Sequence, residues 1–180
     1  MNTANKITIL RVILVPIFMI LFMMDSQAAR YLALAVFVIA SITDALDGYI
    51  ARHYNQITSF GKFVDPLADK MLTTAAFLIL LYKGIINPWS VMIILAREFM
   101  VTGVRLLAAA DGNVIAASFW GKLKTVTQMV AIIAAIILTD PFFPAPASSI
   151  ITSILVWISV FFAALSGIDY LWKNRKLIKM

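Results

Sequence analysis

Long apolar segments alternate with short polar segments along the whole chain. Six apolar stretches run roughly over residues 8–24, 31–52, 63–82, 88–110, 119–139 and 147–171. Each is close to the length of about 20 residues that an α-helix needs to cross the hydrocarbon core of a bilayer. Turn-forming pairs such as Asn87-Pro88 and Asp140-Pro141 separate neighbouring stretches. The pattern therefore predicts an all-α integral membrane protein, with a short N-terminal segment and six transmembrane helices in one domain over residues 1–180.

The composition is that of a protein whose solvent is lipid. Of the 180 residues, 62% are apolar and 13% are charged, whereas soluble domains have about 45–50% apolar and about 25% charged residues. This excludes an ordinary water-soluble globule and a disordered chain. The chain has no Cys and a single His, His53. Disulfides, thiolate catalysis and a multi-His metal site within one chain are therefore excluded as well.

The positive charges predict how the chain is oriented. The net charge is +6, from 15 Lys and Arg against 9 Asp and Glu. If six helices cross the membrane, all Lys and Arg residues except Arg30 and Lys83 lie on the side of the two termini. The positive-inside rule then places both termini in the cytoplasm of a multi-pass protein of the cell membrane. The positive excess indicates orientation and anionic lipid headgroups rather than nucleic acid.

Two pairs of aspartates interrupt the second and third apolar stretches. Asp44 and Asp47 are three residues apart, and Asp65 and Asp69 are four apart, so each pair shares one helix face. With a short turn near residues 53–60, the pairs can face each other across a helical hairpin near its cytoplasmic end. Four carboxylates in a low-dielectric pocket require protons or cations. Their oxygens favour Mg²⁺, Mn²⁺ or Ca²⁺, and two such ions suit phosphoryl transfer.

Other roles for these aspartates are open at this point. Asp65 followed by Pro66 is also typical of the start of a helix, and Asp69 could lie in a solvated first turn. Neither role accounts for Asp44 and Asp47, which lie well inside an apolar stretch. Carboxylates inside membranes also mark ion and proton pathways. A small ion or proton transporter is therefore an alternative, although the chain has no visible internal repeat of the kind typical of transporters.

The spacing of these residues matches a known pattern. D-x2-D-G-x2-A-R-x8-G-x3-D-x3-D is occupied at every fixed position, by Asp44, Asp47, Gly48, Ala51, Arg52, Gly61, Asp65 and Asp69. This resembles the signature of the CDP-alcohol phosphatidyltransferases, which are six-helix membrane enzymes. The resemblance implies that the four aspartates hold two divalent cations, Mg²⁺ or Mn²⁺, on the pyrophosphate of a CDP-linked lipid. It also implies that Asp69 is the general base and that the protein is a homodimer.

The same resemblance implies a binding pocket for the CDP-lipid. Asn5 and Thr8 resemble part of an N-terminal N-x2-T-x2-R element that ends at Arg11. Gly48 and Gly61 have no side chain, so a phosphate could approach the backbone closely there. The residues expected to bind the CDP-lipid are Asn5, Thr8, Gly48, Arg52, Thr58 and Gly61.

A second group of charges bears on the acceptor alcohol. Arg97 and Arg105 are about two helical turns apart on one face of the fourth stretch, and Lys122 and Lys124 begin the fifth. The adjacent Arg97 and Glu98 predict a buried ion pair. Positive charge near lipid headgroups would by itself account for the two lysines. Together the four cations would suit an acceptor that itself carries a phosphate.

These segments also resemble one branch of the family. R-E-x3-[ST]-G-x-R and G-K-x-K-T-x2-Q are similar to segments of the branch that uses glycerol phosphate, the phosphatidylglycerophosphate synthases. The resemblance implies attack of sn-glycerol 3-phosphate on the lipid-side phosphorus of CDP-diacylglycerol, giving phosphatidylglycerophosphate and CMP. Arg105, Lys122, Lys124 and Arg97 would bind the acceptor phosphate. Another acceptor, such as inositol phosphate or serine, is the alternative within the family.

Overall fold

The computed structural model describes residues 3–53, 59–110, 112, 115 and 118–175, with the backbone alone at residues 3, 4, 44–53, 59–63, 65, 66, 69 and 110. Each of the six apolar stretches corresponds to one helix, so the predicted all-α class is confirmed. Over the described residues the helices are α1 (Thr3–Met23), α2 (Gln27–His53), α3 (Ser59–Tyr82), α4 (Pro88–Ala110), α5 (Phe119–Leu138) and α6 (Ala145–Lys173). The chain divides into two compact units, Met1–Ile79 and Leu80–Met180.

Several helices have the length and apolar character of membrane spans. Within the described residues, three are long and apolar enough to cross a bilayer, namely α1 from Asn5 to Met23, α5 and α6. Shorter apolar segments lie in α2 (Gln27–Thr43) and α3 (Lys70–Tyr82). Large apolar side chains such as Ile20 and Phe161 are exposed on the outer faces of these helices. Long helices with exposed apolar faces indicate a membrane protein in contact with lipid.

In the first unit, α1 packs against α2. Aromatic side chains make the contact, and small residues lie on either side of it on α2. The Phe18 ring stacks on Phe22 of the same helix with centroids 6.1 Å apart, and its centroid lies 5.5 Å from that of Phe37 on α2. Ala33 and Ala40 flank Phe37 on the buried face of α2. Because alanine has only a methyl side chain, the two helices can approach closely at these positions.

The start of α3 decides between two roles that the sequence left open for Asp65. The helix begins at Ser59, six residues before Asp65. Asp65 and Asp69 therefore both lie within the first three turns of α3, and Asp65 is not the residue that caps its N-terminus. The helix-start alternative for Asp65 is wrong.

In the turn that follows α3, Gly84 has φ of 69°, a left-handed conformation that glycine adopts without strain.

In the second unit, both α4 and α5 pack against α6. The buried positions recur every three or four residues, as expected for one face of a helix. Ser118 caps the start of α5, where its Oγ accepts a hydrogen bond from the backbone N–H of Gly121 at 3.1 Å. The buried residues of α6 are Thr152, Val156, Ser159, Val160, Ala163, Ser166, Gly167 and Tyr170. These mostly small side chains let α6 lie close to both neighbours.

Candidate functional site

The signature aspartates lie on two helices of the first unit. Asp44 and Asp47 belong to α2, and Asp65 and Asp69 belong to α3. The helical backbone keeps the two members of each pair on one face of their helix. The predicted site residues that fall outside the described side chains are Asp44, Asp47, Gly48, Arg52, Thr58, Gly61, Asp65 and Asp69. Their roles as ligands and as general base stay predictions.

The N-terminal half of α1 carries a buried polar face. Asn5, Thr8 and Arg11 follow one another at intervals of three residues, and their exposed fractions are 7%, 1% and 0%. A guanidinium that is removed from water needs polar or charged partners, and each of the three residues interacts with other groups. The structure therefore brings the residues of the N-x2-T-x2-R element together. Their contact with a CDP group is a prediction.

Arg97 occupies a site next to α6 and the start of α5 in the second unit. Its Nη1 donates a hydrogen bond to Glu98 Oε1 at 3.3 Å, and its Nη2 donates to Ser166 Oγ of α6 at 2.5 Å. A Cβ atom placed at Gly121 of α5 would lie 3.9 Å from Nη2. Only 11% of the Arg97 side chain is exposed. The buried ion pair predicted between Arg97 and Glu98 is confirmed.

Glu98 serves two cations at once. Besides Arg97, its Oε1 pairs with the Nζ atom of Lys124, which comes from α5. The side chain of Lys124 is 10% exposed and that of Glu98 is 15% exposed, so this is a largely desolvated cluster. Lys122, in contrast, is exposed. The alternative role of an exposed positive charge near lipid headgroups therefore fits Lys122. It does not fit Lys124, which is largely buried and paired with Glu98. We use the name cationic cluster for three positively charged residues and the glutamate among them, namely Arg97, Lys124, Arg105 and Glu98.

Arg105 is held by an aromatic residue of α6. Its Nε donates a hydrogen bond to the hydroxyl oxygen of Tyr170 at 3.3 Å. The guanidinium carbon also lies 5.7 Å from the centroid of the Tyr170 ring, within the range of a cation–π interaction. Tyr170 is buried whereas Arg105 is exposed. The arginine is therefore anchored at one edge, with part of its surface open to a ligand.

Three residues of α6 contribute to this site although the sequence interpretation did not single them out. Ser166 and Tyr170 bind the two arginines of α4, and Gly167 makes room for one of them. A Cβ atom at Gly167 would lie 3.1 Å from Arg97 Cγ, so a larger residue would press on the arginine stem. Adjacent small residues in an apolar helix indicate close packing. They do not indicate which helix packs there.

Gln128 of α5 is a further polar residue beside the cationic cluster. It lies one turn after Lys124 and is 1% exposed. Its Nε2 atom is buried and has no hydrogen-bond partner among the described residues. A buried donor without a partner is costly.

Comparison with known proteins assigns the chain to a family. The family profile of the CDP-alcohol phosphatidyltransferases matches residues 1–165. This chain belongs to the CDP-alcohol phosphatidyltransferase family. The family that the aspartate signature predicts is thereby confirmed.

Curated relatives within the CDP-alcohol phosphatidyltransferases cover most of the chain. A Bacillus subtilis protein named CDP-diacylglycerol–glycerol-3-phosphate 3-phosphatidyltransferase is 42% identical, over 99% of this chain and 97% of its own length. A Rickettsia typhi protein of the same name is 40% identical over 94% of each chain. A Haemophilus influenzae protein, again of this name, is 40% identical over 73% of each chain.

In this member of the phosphatidyltransferase family, the signature aspartates and the cationic cluster belong to different units of the chain. The first unit holds four aspartates, whose carboxylate oxygens suit hard divalent cations. The second unit holds guanidinium and ammonium groups, which donate charge-assisted hydrogen bonds to phosphate oxygens.

Proposed function

We propose that this chain transfers the phosphatidyl group of CDP-diacylglycerol to sn-glycerol 3-phosphate, giving phosphatidylglycerophosphate and CMP. The observation that carries the proposal is the name shared by curated relatives that are 40–42% identical over most of the chain. The complete aspartate signature supports the phosphoryl-transfer chemistry. The cationic cluster supports an acceptor that bears a phosphate.

The four signature aspartates fit divalent cations through the chemistry of their donor atoms. Carboxylate oxygens are preferred by Mg²⁺ and Mn²⁺, and dependence on a divalent cation is a general property of this family. We assign two such cations, Mg²⁺ or Mn²⁺, to Asp44, Asp47, Asp65 and Asp69. When bound, the cations neutralise negative charge on the pyrophosphate and on the leaving CMP.

The protein's own residues supply the remaining functions. Asp69 accepts the proton of the acceptor hydroxyl while that oxygen forms a bond to the lipid-side phosphorus. The bond from this phosphorus to the CMP oxygen breaks, and CMP leaves with the bonding electron pair. The CDP-lipid is held by Asn5, Thr8, Gly48, Arg52, Thr58 and Gly61.

The acceptor phosphate is assigned to the positively charged residues of α4 and α5. Arg105 and Lys122 are exposed, so a soluble acceptor can reach them directly. Lys124 and Arg97 lie deeper and are both held by Glu98. Arginine can bind two phosphate oxygens at once. We therefore assign the first contact with the acceptor phosphate to the exposed residues Arg105 and Lys122, and contacts deeper in the protein to Lys124 and Arg97.

A cytoplasmic active site follows from the predicted topology. We propose that all six helices cross the cell membrane, that both termini are cytoplasmic and that residues 1–180 form one domain that assembles as a homodimer. The distribution of Lys and Arg supports this orientation. The chain has no Cys, so a single introduced thiol reports its own location.

Two exposed phenylalanines make suitable labelling positions. Phe142, in the turn between α5 and α6, is 84% exposed, and Phe119, at the start of α5, is 71% exposed. In intact cells, a membrane-impermeant maleimide should label Phe142→Cys and spare Phe119→Cys until the membrane is opened. The opposite pattern would reverse the proposed orientation.

The reaction itself is tested with purified protein in detergent. CMP release from CDP-diacylglycerol is measured with sn-glycerol 3-phosphate, inositol phosphate or serine as acceptor. Of the three acceptors, we expect only sn-glycerol 3-phosphate to support CMP release. EDTA should stop this release, and addition of Mg²⁺ or Mn²⁺ should restore it. Turnover with serine or inositol phosphate in place of glycerol 3-phosphate would reject the acceptor assignment.

A matched pair of aspartate variants tests the general base. Asp69→Asn should abolish CMP release while the protein remains folded. Asp169→Asn makes the same chemical change on α6, where the carboxylate pairs with Lys173 at 2.8 Å outside the signature, and it should retain turnover. A near-normal rate for Asp69→Asn would remove Asp69 from the role of base.

A further inference from the structure

Helix α6 binds both arginines of α4. The Arg97 Nη2 atom lies 2.5 Å from Ser166 Oγ, and the Arg105 Nε atom lies 3.3 Å from the Tyr170 hydroxyl. The two arginines are eight residues apart, or about 12 Å along the axis of α4. Ser166 and Tyr170 lie on successive turns of α6, only about 6 Å apart along its axis. Both guanidinium groups are therefore directed to one short segment of α6.

The orientation of Arg97 is restricted from several sides. Ser166 and Glu98 bind its two terminal nitrogens. Gly167 leaves space for its stem, because a Cβ atom there would approach Arg97 Cγ to 3.1 Å. A free arginine side chain populates many rotamers, and binding a ligand would have to select one of them. In this protein, the contacts with Ser166, Glu98 and Gly167 already restrict Arg97 to one orientation before a ligand binds.

We propose that Ser166 and Tyr170 are positioning residues that hold Arg97 and Arg105 in the orientation that binds the phosphate of the acceptor. This inference rests on the proposed function, because it names what sets affinity for the acceptor in that reaction. The family match ends at residue 165, so both residues lie beyond it. A preorganised binding site loses less conformational entropy when it binds its ligand. Losing either residue should therefore weaken acceptor binding without touching the CDP-lipid site.

Ser159 provides a matched control on the same helix. Ser159 and Ser166 are both fully buried on α6, seven residues apart. The Ser159 hydroxyl, however, donates to the backbone carbonyl of Val156 within the helix, at 2.7 Å. Replacing either serine by alanine deletes one buried hydroxyl, but only one of the two replacements releases an arginine.

The experiment measures KM for each substrate separately. Ser166→Ala should raise KM for sn-glycerol 3-phosphate about tenfold, since a hydrogen bond to a charged group is lost. Tyr170→Phe keeps the ring and loses only the hydroxyl, so we expect a rise of about threefold. KM for CDP-diacylglycerol should stay unchanged in both variants. Ser159→Ala should change neither KM, and Ser166→Thr, which restores a hydroxyl, should recover acceptor affinity.

A double variant tests whether Ser166 acts through Arg97. On an Arg97→Lys background, Ser166→Ala should add no further rise in acceptor KM, because the bonded nitrogen is already gone. A full additional tenfold rise would overturn the inference. Equal rises in KM for both substrates, or equal effects of Ser166→Ala and Ser159→Ala, would also overturn it, since either result describes a purely structural serine.

A binding readout separates this inference from the proposed reaction. The rise in Tm caused by added glycerol 3-phosphate or inorganic phosphate needs no turnover. Ser166→Ala should require about tenfold more of either compound for the same rise in Tm. If the wild-type protein releases no CMP but shows this difference, the proposed reaction fails and the positioning role stands. If CMP is released and the variant binds phosphate normally, the reaction stands and the positioning role fails.

Discussion

Glu98 neutralises two largely buried cations, and removal of its charge should be strongly destabilising. The side chains of Arg97, Lys124 and Glu98 are 11%, 10% and 15% exposed. Removing one member of a buried ion pair typically costs about 3–5 kcal/mol, because the remaining charge is left uncompensated. Glutamine keeps an oxygen that can accept hydrogen bonds. We therefore expect Glu98→Gln to lower the free energy of unfolding by about 3 kcal/mol, the low end of this range.

Thermal unfolding in detergent provides the assay. For a chain of this length a loss of 3 kcal/mol corresponds to a fall in Tm of about 6–12 °C. Asp169→Asn is the control, because it makes the same change in a pair whose lysine, Lys173, is 62% exposed. An exposed pair of this kind contributes about 0.3–0.5 kcal/mol. The control should therefore lower Tm by no more than about 2 °C.

A second substitution isolates the electrostatic cause. In Glu98→Gln combined with Lys124→Gln, the uncompensated ammonium is removed, so part of the lost stability should return and the two changes should not be additive. If Glu98→Gln unfolds within a degree or so of Asp169→Asn, the cluster does not depend on charge compensation. The reasoning from burial would then be refuted.

Substitutions at three further positions test the fold. Phe37→Ala should destabilise by about 3–5 kcal/mol, because it empties a fully buried site that packs on Phe18; a fall in Tm checks it, and a Tm near wild type would contradict the packing. Gly84→Ala should cost about 1 kcal/mol from backbone strain alone, since φ is 69° and the space around it is open; Gly84→Asn should lower Tm less. Ser118→Ala should lose the cap of α5 and about 1 kcal/mol, whereas Ser118→Asp should keep the Tm of the wild type.

The six helices were predictable because each apolar stretch is long, and strong turn signals such as Asn87-Pro88 and Asp140-Pro141 separate several of them. α4 begins at Pro88 and α6 begins at Ala145, close to the predicted starts at 88 and 147. α1 begins at Thr3 rather than near residue 8. This extension was missed because Asn5 and Thr8 are polar. A hydropathy pattern does not distinguish polar residues on a buried helix face from polar residues in a solvated segment.

The candidate site was predictable only where its residues are close in sequence. The aspartate pairs repeat at helical spacing on consecutive helices, and the adjacent Arg97 and Glu98 share a turn. The bonds of α6 to α4 join residues 69 and 65 positions apart. Ser166 and Tyr170 are uncharged residues in an apolar helix, so the sequence does not distinguish them from residues that only pack. The spacing of small and polar residues along α6 predicts a buried face, but it does not predict which helix packs against that face. The packing of α4 on α6 was therefore needed to find them.

The placement of α4 has a consequence for biogenesis. The partners of its charged side chains come from segments that leave the ribosome later, Lys124 from α5 and Ser166 and Tyr170 from α6. Until those segments are synthesised, the charged groups of α4 lack these long-range partners, and a charged group without a partner is costly to remove from water. We therefore expect α4 to reach its final packing only after α5 and α6 have been synthesised, and we expect chains that terminate before α6 to be degraded faster than the full chain.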